Sequence, residues 1–205
     1  MYPPPHYSDN SPAFMAGVMR EHSFAVMTMV GNEGLISTHL PFVLKDEGKH
    51  GTLYAHTAKQ NPLSCLMVGD NEAMVVFTGP HAYISASWYD NPDKRVPTWN
   101  YISVQAKGYP ITLPKTDYMS EMTTLVKQSE KDGNWSIDRA QDYAKSLMNG
   151  ITYFKIPIIS LKGIRKMSAN KSDAENKRII NHLRKAGEVG TASAMEAACR
   201  LKQEQ

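Results

Sequence analysis

Residues 73–113, "AMVVFTGPHAYISASWYDNPDKRVPTWNYISVQAKGYPITL", decide the fold class. Three parts of this stretch, 73–79, 82–89 and 98–113, are rich in the β-branched and aromatic residues that favour strands. They follow one another too closely to leave room for the helical crossovers that connect parallel strands. The stretch therefore predicts a mostly antiparallel barrel or sandwich.

The sequence before this stretch predicts a helix followed by the start of a β-meander. "DNSPAFMAGVMREH" (9–22) has a capping residue and an early proline, both typical of a helix start. "SFAVMTMV" (23–30) and "LISTHLPFVL" (35–44) are predicted strands, and "GNEG" between them favours a hairpin turn. A further strand is expected in "GTLYAHT" (51–57) and a short helix in "KQNPLSCLM" (59–67).

The sequence after it predicts helices and one more pair of strands. Helical patterns cover 115–131 and 136–150, and "ITYFKIPIISLKGIRKM" (151–167) predicts two paired strands. From Ser172 onward the chain is expected to be helical, with a break near "AGEVG". We therefore expect two domains: a barrel over 1–168 and a basic helical tail over 169–205.

Composition narrows the class of protein. A chain of 205 residues with 41% hydrophobic content suits one globular domain with an appendage. The first ten residues have neither the basic nor the apolar region of a signal peptide, and no apolar run reaches the length of a membrane span. Two isolated cysteines fit a reducing compartment. A cytoplasmic protein without membrane contact is expected.

The net charge of +3 is unevenly distributed along the chain. Residues 162–205 hold ten Lys and Arg against five Asp and Glu, whereas the rest is nearly balanced. Such a tail could contact DNA phosphates through Lys177, Arg178, Arg184 and Lys185, or it could be an ordinary solvated face. The charge pattern leaves both interpretations open.

Several enzyme classes are excluded by the motifs that the sequence lacks. It has no dinucleotide-binding glycine fingerprint, no phosphate-binding loop of the NTPases, no zincin motif and no nucleophile elbow. His39, His56 and His81 lie in three strand-end segments, but no carboxylate or cysteine joins them in a recognised ligand pattern. We expect no metal site, and no residue stands out as catalytic.

Two segments have the residue types of a ligand site. In "HTAKQNP" (56–62), the residues His56, Lys59 and Asn61 cluster where a strand is predicted to end and a helix to start. This place suits a phosphate cradle with free backbone N–H groups. The alternative is a plain turn with a solvated lysine. Residues 77–101 contain two of the three tryptophans and three of the ten tyrosines. These rings could form a core, a platform for a planar cofactor, or a surface that stacks on nucleic acid.

Linked motifs spread over most of the chain resemble one family. "MYPPPHY", "HLPF", "GTLYAHTAKQNP", "GPHAYISASWY", "VPTWNY" and "KMSAN" occur in the order and at about the spacing of the PaiB-like proteins, the FMN-binding "negative transcriptional regulator" family. The resemblance runs from Met1 to about Asn170. It implies an antiparallel split β-barrel with flanking helices (mostly β, α+β), like that of the pyridoxamine-phosphate oxidases, and a homodimer with FMN near the subunit interface.

The resemblance also implies which residues contact FMN. His56, Ala58, Lys59 and Asn61 would lie near the phosphate and ribityl chain, while Ser37, Thr38, His39 and Leu40 would run along the isoalloxazine edge. Trp88, Tyr89, Thr98, Trp99 and Asn100 would close the site. Trp88, Trp99 and Tyr101 would form a flavin-facing wall, which is how the resemblance accounts for the aromatic segment.

Four positions depart from the family pattern. Lys59 stands where an arginine is expected, so the charge is kept but the bidentate fork is lost. Ala86 stands where the family usually has a proline. Ala169 and Lys171 also differ from the usual residues beside Ser168 and Asn170.

Two main functions are compatible with this resemblance, and a third, haem binding or breakdown, rests only on analogy with other split barrels. One is an FMN-binding regulator that contacts DNA or a protein partner. The other is an FMN-dependent oxidoreductase acting on a small molecule, in which the cofactor supplies the chemistry. Whether the chain is an enzyme stays open at this point.

Overall fold

The structure of the chain is a computed structural model that describes Met1 and residues 4–203. The predicted N-terminal motif 1–7 includes residues 2 and 3, and the predicted tail ends with residues 204 and 205. These four residues lie outside the described part.

The described chain contains six α-helices and eight β-strands, joined by turns and short 3₁₀ segments. The helices are α1 (Pro12–Glu21), α2 (Leu63–Leu66), α3 (Tyr118–Ser129), α4 (Gln141–Leu147), α5 (Asp173–Lys185) and α6 (Val189–Gln203). The strands are β1 (Phe24–Gly31), β2 (Gly34–Pro41), β3 (Val43–Lys45), β4 (Thr52–Ala58), β5 (Ala73–Ile84), β6 (Thr98–Gly108), β7 (Ile111–Thr112) and β8 (Ile151–Lys166).

The eight strands form one sheet. They are hydrogen-bonded in the order β2–β1–β5–β6–β8–β4–β3, and β7 pairs with β8. The pairs β1–β2, β1–β5, β3–β4, β4–β8 and β7–β8 are all antiparallel. The predicted class, mostly β and antiparallel with flanking helices, is confirmed. None of the helices in the described part combines the length and apolar character that spanning a membrane requires.

The first hairpin forms where the sequence predicts it. Strands β1 and β2 pair from Phe24–Pro41 to Gly31–Gly34, so the turn lies within "GNEG". Gly34 has a φ of 114°, which a residue with a side chain rarely adopts. The glycine therefore fixes the turn and, with it, the register of β2.

Several predicted strand boundaries are wrong. The segment 35–44 is divided between β2 and β3, and the segment 98–113 between β6 and β7. The segments 73–79 and 82–89 form one strand that ends at Ile84, and Ala86–Trp88 is a 3₁₀ turn because the Ser85 hydroxyl accepts a hydrogen bond from the backbone of Ser87. The predicted strand pair in 151–167 is one long strand, β8. Its first half pairs with β4 in a single register, so no turn is needed within it.

The predicted helical tail is present as α5 and α6. A capping box at Ser172 and Glu175 starts α5. Two of the four cations predicted to meet phosphates are engaged in ion pairs, Arg178 with Asp90 and Arg184 with Glu196. Lys177 and Lys185 are exposed, and neither forms an ion pair within the described residues.

The chain divides into two compact units, each with its own buried residues. We call Met1–Val18, Thr78–Val104 and Lys162–Gln205 the terminal unit, and Met19–Phe77 and Gln105–Leu161 the central unit. Fully or nearly fully buried side chains of the terminal unit include those of Met15, Ile84, Ile164, Met167, Ile179, Leu183 and Met195. Those of the central unit include Met27, Met29, Phe42, Leu53, Leu63, Phe77, Phe154 and Ile156.

The N-terminal segment of the terminal unit is bound to the end of β8. The backbone N–H of Asp9 donates to Gly163 at 3.2 Å, and the backbone N–H of Gly163 donates to the side chain of Asn10 at 3.1 Å. Arg165 donates to the carboxylate of Asp9 and lies over the ring of Phe14, 4.1 Å from its centroid. A Cβ at Gly163 would overlap the backbone oxygen of Asp9. Only glycine allows the two segments to approach this closely.

We therefore expect Gly163→Ala to destabilise the protein by about 1–3 kcal/mol, the usual cost of overpacking a closely packed site. Gly17→Ala is the matched control, because a Cβ at Gly17 in α1 would meet nothing within 4 Å. That variant should be neutral or more stable by up to about 1 kcal/mol, since alanine favours the helix. Urea unfolding measures both. Equal midpoints for Gly163→Ala and the unmodified chain would show that the close approach does not matter.

Candidate functional site

Strand β2 carries four of the predicted flavin contacts, and it lies at the edge of the sheet as described. Its side chains alternate between two faces: Ser37 and His39 are exposed on one, and Thr38 and Leu40 are on the other. His39 stacks on Phe24 with ring centroids 5.7 Å apart, and the hydroxyl of Ser37 lies 2.8 Å from that of Thr28. The four residues are thus aligned, but only two side chains can face any one ligand.

The turn after β4 carries three more predicted contacts, Ala58, Lys59 and Asn61. The side-chain amide of Asn61 donates to the hydroxyl of Thr38 at 3.3 Å, and its oxygen accepts from the backbone of Leu63 at 3.0 Å. The structure therefore brings this turn and β2 together. Lys59 is exposed and forms no ion pair with any described carboxylate.

Most of the backbone N–H groups expected to be free at this turn donate hydrogen bonds within the protein. The N–H of Lys59 donates to Gly150, and that of Asn61 donates to Ala58, both at 2.9 Å. Helix α2 has only four residues, so its first N–H groups close the turn itself. A phosphate at this place would be held by side chains, chiefly the cation of Lys59.

His56 has its described contacts in an aromatic cluster of the central unit. Its ring packs edge-to-face on Tyr118 at 5.5 Å and lines a small cavity with Glu121 and Tyr153. Burial lowers the pKa of His56, so its imidazole is neutral over a wider pH range than that of a free histidine. A neutral ring can donate or accept a hydrogen bond, but it adds no charge to a phosphate site.

The same cluster holds a partly buried ion pair. Lys45 pairs with Glu121, and the hydroxyl of Tyr54 donates to Glu47 at 2.7 Å. Burial, with the nearby carboxylates, raises the pKa of the Tyr54 and Tyr153 hydroxyls. Both phenols therefore stay protonated at neutral pH and cannot serve as bases.

The remaining predicted contacts lie in the terminal unit, and their surroundings differ from one another. They are Trp88, Thr98, Trp99 and Asn100. Thr98 and Asn100 share one face of β6, whereas Trp99 is on the other. The side chain of Asn100 is buried and exchanges hydrogen bonds of 3.0 and 3.1 Å with the hydroxyl of Ser168. The hydroxyl of Thr98 accepts from Lys166 at 2.7 Å.

The two tryptophans of the expected flavin wall, Trp88 and Trp99, differ in their contacts and exposure. Trp88 stacks on His182 of α5, with centroids 5.1 Å apart and planes 1° from parallel. Trp99 is 54% exposed and meets Tyr83, which is 46% exposed, edge-to-face at 6.0 Å. One face of the Trp88 indole is therefore occupied within the terminal unit, while Trp99 is available to a ligand or partner.

Thr98 and Asn100 open into a cavity of the terminal unit that sequence reasoning did not identify. It has a volume of about 490 Å³, and its lining includes Lys94, Arg95, Lys166 and Lys171. In the sequence, "KMSAN" (166–170) contributes only to the family resemblance. Ser168 in this motif has a φ of 58°, a conformation that its residue type does not signal.

The histidines do not form a metal centre in the described residues, where no group of three or more His, Cys, Asp or Glu could hold an ion. His39 and His56 pack on aromatic rings as described above. His81 lies 6.5 Å from the ring of Trp99, and its Nδ1 is 3.0 Å from the carbonyl oxygen of Gly79.

Comparison with solved structures shows the fold. The chain is similar to the FAD and haem binding protein from Mycobacterium smegmatis, with a TM-score of 0.60 and 10% identity over 78% of this chain and 73% of that one. It is also similar to a conserved hypothetical protein from Mycobacterium tuberculosis, with a TM-score of 0.62 and 11% identity over 84% and 94% of the two chains. The predicted split-barrel fold is confirmed.

Comparison of sequences shows the family. The chain is 29% identical over 186 residues to "Protease synthase and sporulation protein PAI 2" of Bacillus subtilis, which covers 89% of each chain. Residues 1–160 match the model of the family described as "Putative FMN-binding domain". This match covers most of the chain and confirms the predicted PaiB-like family and its cofactor. The chain belongs to the FMN-binding domain family, and its cofactor is FMN.

Proposed function

We propose that the chain works as a homodimer that holds FMN at the subunit interface, with the isoalloxazine edge along β2 and the phosphate at the turn after β4. The observation that carries this proposal is the hydrogen bond from Asn61 to Thr38. It fixes the turn that bears Lys59 against the strand that bears Ser37, His39 and Leu40. A single ligand with a flat ring and a phosphate could contact both elements.

The position of β2 in the sheet supports the ring part of this proposal. On one side β2 pairs with β1, and its other side has no strand partner in the described sheet. An edge strand presents backbone N–H and C=O groups in a regular row. Such groups can pair with the carbonyls and ring nitrogens of an isoalloxazine without any particular side chain.

The charge of Lys59 supports the phosphate part. This lysine is exposed and has no ion pair in the described chain, so its ammonium is available to a dianion. A lysine supplies a point charge, whereas the arginine expected from the family would add a bidentate fork. Asn61, in the same turn, and Thr38, its hydrogen-bond partner, can add neutral donors. We therefore assign the phosphate to Lys59.

The exposed rings of the terminal unit support the dimer. Trp99 and Tyr83 present large aromatic surfaces to solvent and pack on each other. Aromatic residues of this kind are enriched at protein interfaces. In the proposed dimer, the Trp99 face of each copy covers the flavin held by the other. Thr98 and Asn100 then lie on the opposite face of β6 from this contact.

FMN bound in this way would supply one- or two-electron chemistry at its ring. The chain's own groups would bind and orient it. We identify no acid or base that acts on a substrate among the residues described, so the oxidoreductase stays a prediction from the sequence. The role of a regulator is likewise a prediction from the sequence.

Contact with DNA is not part of this proposal. Arg178 and Arg184 are held in ion pairs within the terminal unit, which leaves Lys177 and Lys185 as the free cations of the predicted patch on α5. Two isolated lysines are as expected for an ordinary solvated helix face. Retention of duplex DNA by the full chain, and its loss without residues 171–205, would be the observation that favours a regulator.

We expect Lys59→Ala to weaken FMN binding at least about tenfold and to leave riboflavin binding unchanged, because only FMN carries the phosphate that the lysine would meet. Quenching of flavin fluorescence on titration with apoprotein measures both affinities. Lys131→Ala is the control, since Lys131 is an exposed lysine of the central unit that forms no described ion pair. Equal FMN affinity in the Lys59 and Lys131 variants would remove Lys59 from the site.

We expect Trp99→Ala to shift the protein from dimer toward monomer, because the substitution removes the largest exposed ring of the proposed interface. Sedimentation velocity at several protein concentrations measures the shift. Trp135→Ala, which removes a ring 37% exposed in the central unit, should leave the dimer intact. A Trp99→Ala protein that sediments as the unmodified chain does would exclude this face from the interface.

A further inference from the structure

The cavity in the terminal unit that Thr98 and Asn100 line has an unusual charge. Four cationic side chains reach it, those of Lys94, Arg95, Lys166 and Lys171, against one lining carboxylate, that of Asp93. Its volume of about 490 Å³ is within the range of small-molecule sites. Like charges gathered around one cavity repel each other, so this arrangement favours an anion.

Most of these cations are held without neutralising partners. Lys166 donates to the Thr98 hydroxyl at 2.7 Å, and Lys171 lies over the ring of Tyr89, 5.3 Å from its centroid. Neither lysine, nor Lys94, forms an ion pair in the described residues. Hydrogen bonds and cation–π contacts position an ammonium group but leave its charge in place. Three full charges therefore remain for a ligand.

Arg95 is the exception, and its partner fixes its position. It donates to Glu175 at 2.9 Å, and Glu175 belongs to the capping box of α5. Burial alone would raise the pKa of Glu175, but hydrogen bonds from Arg95 and Ser172 hold that pKa below its ordinary value. The pair is therefore ionised at neutral pH, and it ties the loop that carries Lys94 and Arg95 to the first turn of α5.

Two polar side chains in the cavity lining are buried, and their polar groups are hydrogen-bonded. Asn100 and Ser168 are 1% and 3% exposed, and they exchange two hydrogen bonds with each other. Ser168 has a left-handed backbone conformation. This conformation costs free energy for any residue that has a side chain, and it tends to occur at functional sites. The carbonyl of Ser168 accepts from the N–H of Lys171 at 2.9 Å, so this strained turn places Lys171 at the cavity.

We propose that this cavity binds the oxyanion group, phosphate or carboxylate, of a small molecule other than FMN. Lys94, Lys166 and Lys171 supply the charge, and Tyr7 and Tyr89 supply flat walls with hydroxyl groups. The inference goes beyond the proposed function, because Thr98 and Asn100, which line the cavity, lie on the opposite face of β6 from Trp99, the proposed flavin contact of this strand.

Calorimetric titration tests the proposal with two probes, pyrophosphate for phosphates and citrate for carboxylates, at constant ionic strength. Each is titrated into apoprotein and into FMN-saturated protein, so that the phosphate of FMN is accounted for. We expect one probe to bind both forms. Lys94→Ala and Lys171→Ala should each weaken that binding about tenfold, because each removes a charged partner. The probe that binds more tightly identifies the group.

Lys185→Ala is the matched control, since Lys185 is an exposed lysine of the same unit that does not line the cavity. It should bind the probe as the unmodified chain does, and thermal unfolding of all three variants checks that they are folded. Equal probe affinity in the Lys94, Lys171 and Lys185 variants would overturn the proposal, as would the absence of binding by either probe.

FMN and riboflavin titrations of the same variants separate this inference from the proposed function. Unchanged affinity for both flavins is expected. A loss of FMN affinity alone would show that the cavity holds the phosphate of FMN, which overturns the inference. If the unmodified chain bound no FMN while the probe still required Lys94 and Lys171, the proposed function would fail and the anion site would stand.

Discussion

The register of β8 is the constraint on which both candidate sites depend. Residues 151–157 of this strand pair with residues 52–58 of β4, and the backbone oxygen of Gly150 accepts from Lys59. This pairing determines where β4 ends, and therefore where the turn with Lys59 and Asn61 begins. The end of the same strand belongs to the terminal unit, where it delivers Lys166 and leads into the strained turn at Ser168. A shift of one residue in the register of β8 would turn the side chains of this strand, that of Lys166 included, to the other face.

The two units stabilise their partly buried charges in different ways. In the central unit, Glu121 is paired with Lys45, and the neighbouring phenols and the imidazole of His56 are kept neutral by burial. That cluster is chemically quiet and serves packing. In the terminal unit, Lys166 and Lys171 are positioned by a hydroxyl and an aromatic ring, so their charges are not cancelled. Uncompensated charge beside a cavity indicates a ligand site, whereas paired charge in a core indicates structure.

The sequence predicted the class of fold well because its signals were local. The glycines of "GNEG" gave the first hairpin, and the polar start at Ser172 gave α5. The errors occurred where pairing over long distances decided the outcome. β-branched residues in 151–167 indicated strand correctly, but only the partners of that strand determine that it continues without a turn.

The candidate site was predicted less completely, for physical reasons. Linked motifs located Thr38 and Asn61, which the structure does bring together. Strict alternation along β6 separates Trp99 from Thr98 and Asn100, although all three stand side by side in the sequence. The cationic cavity combines residues from the N-terminus, the 89–100 segment and the end of β8. No short motif can signal such a set, and Ser168 gives no hint of its left-handed backbone.

Amide hydrogen exchange with FMN and with riboflavin tests the central claim most directly, which is that the ring lies along β2 and the phosphate lies at the turn after β4. We expect both flavins to slow exchange in residues 35–40, because both have the ring. We expect only FMN to slow exchange in residues 58–62, because only FMN has the phosphate. Protection of neither segment by saturating FMN, or equal protection of 58–62 by riboflavin, would contradict it.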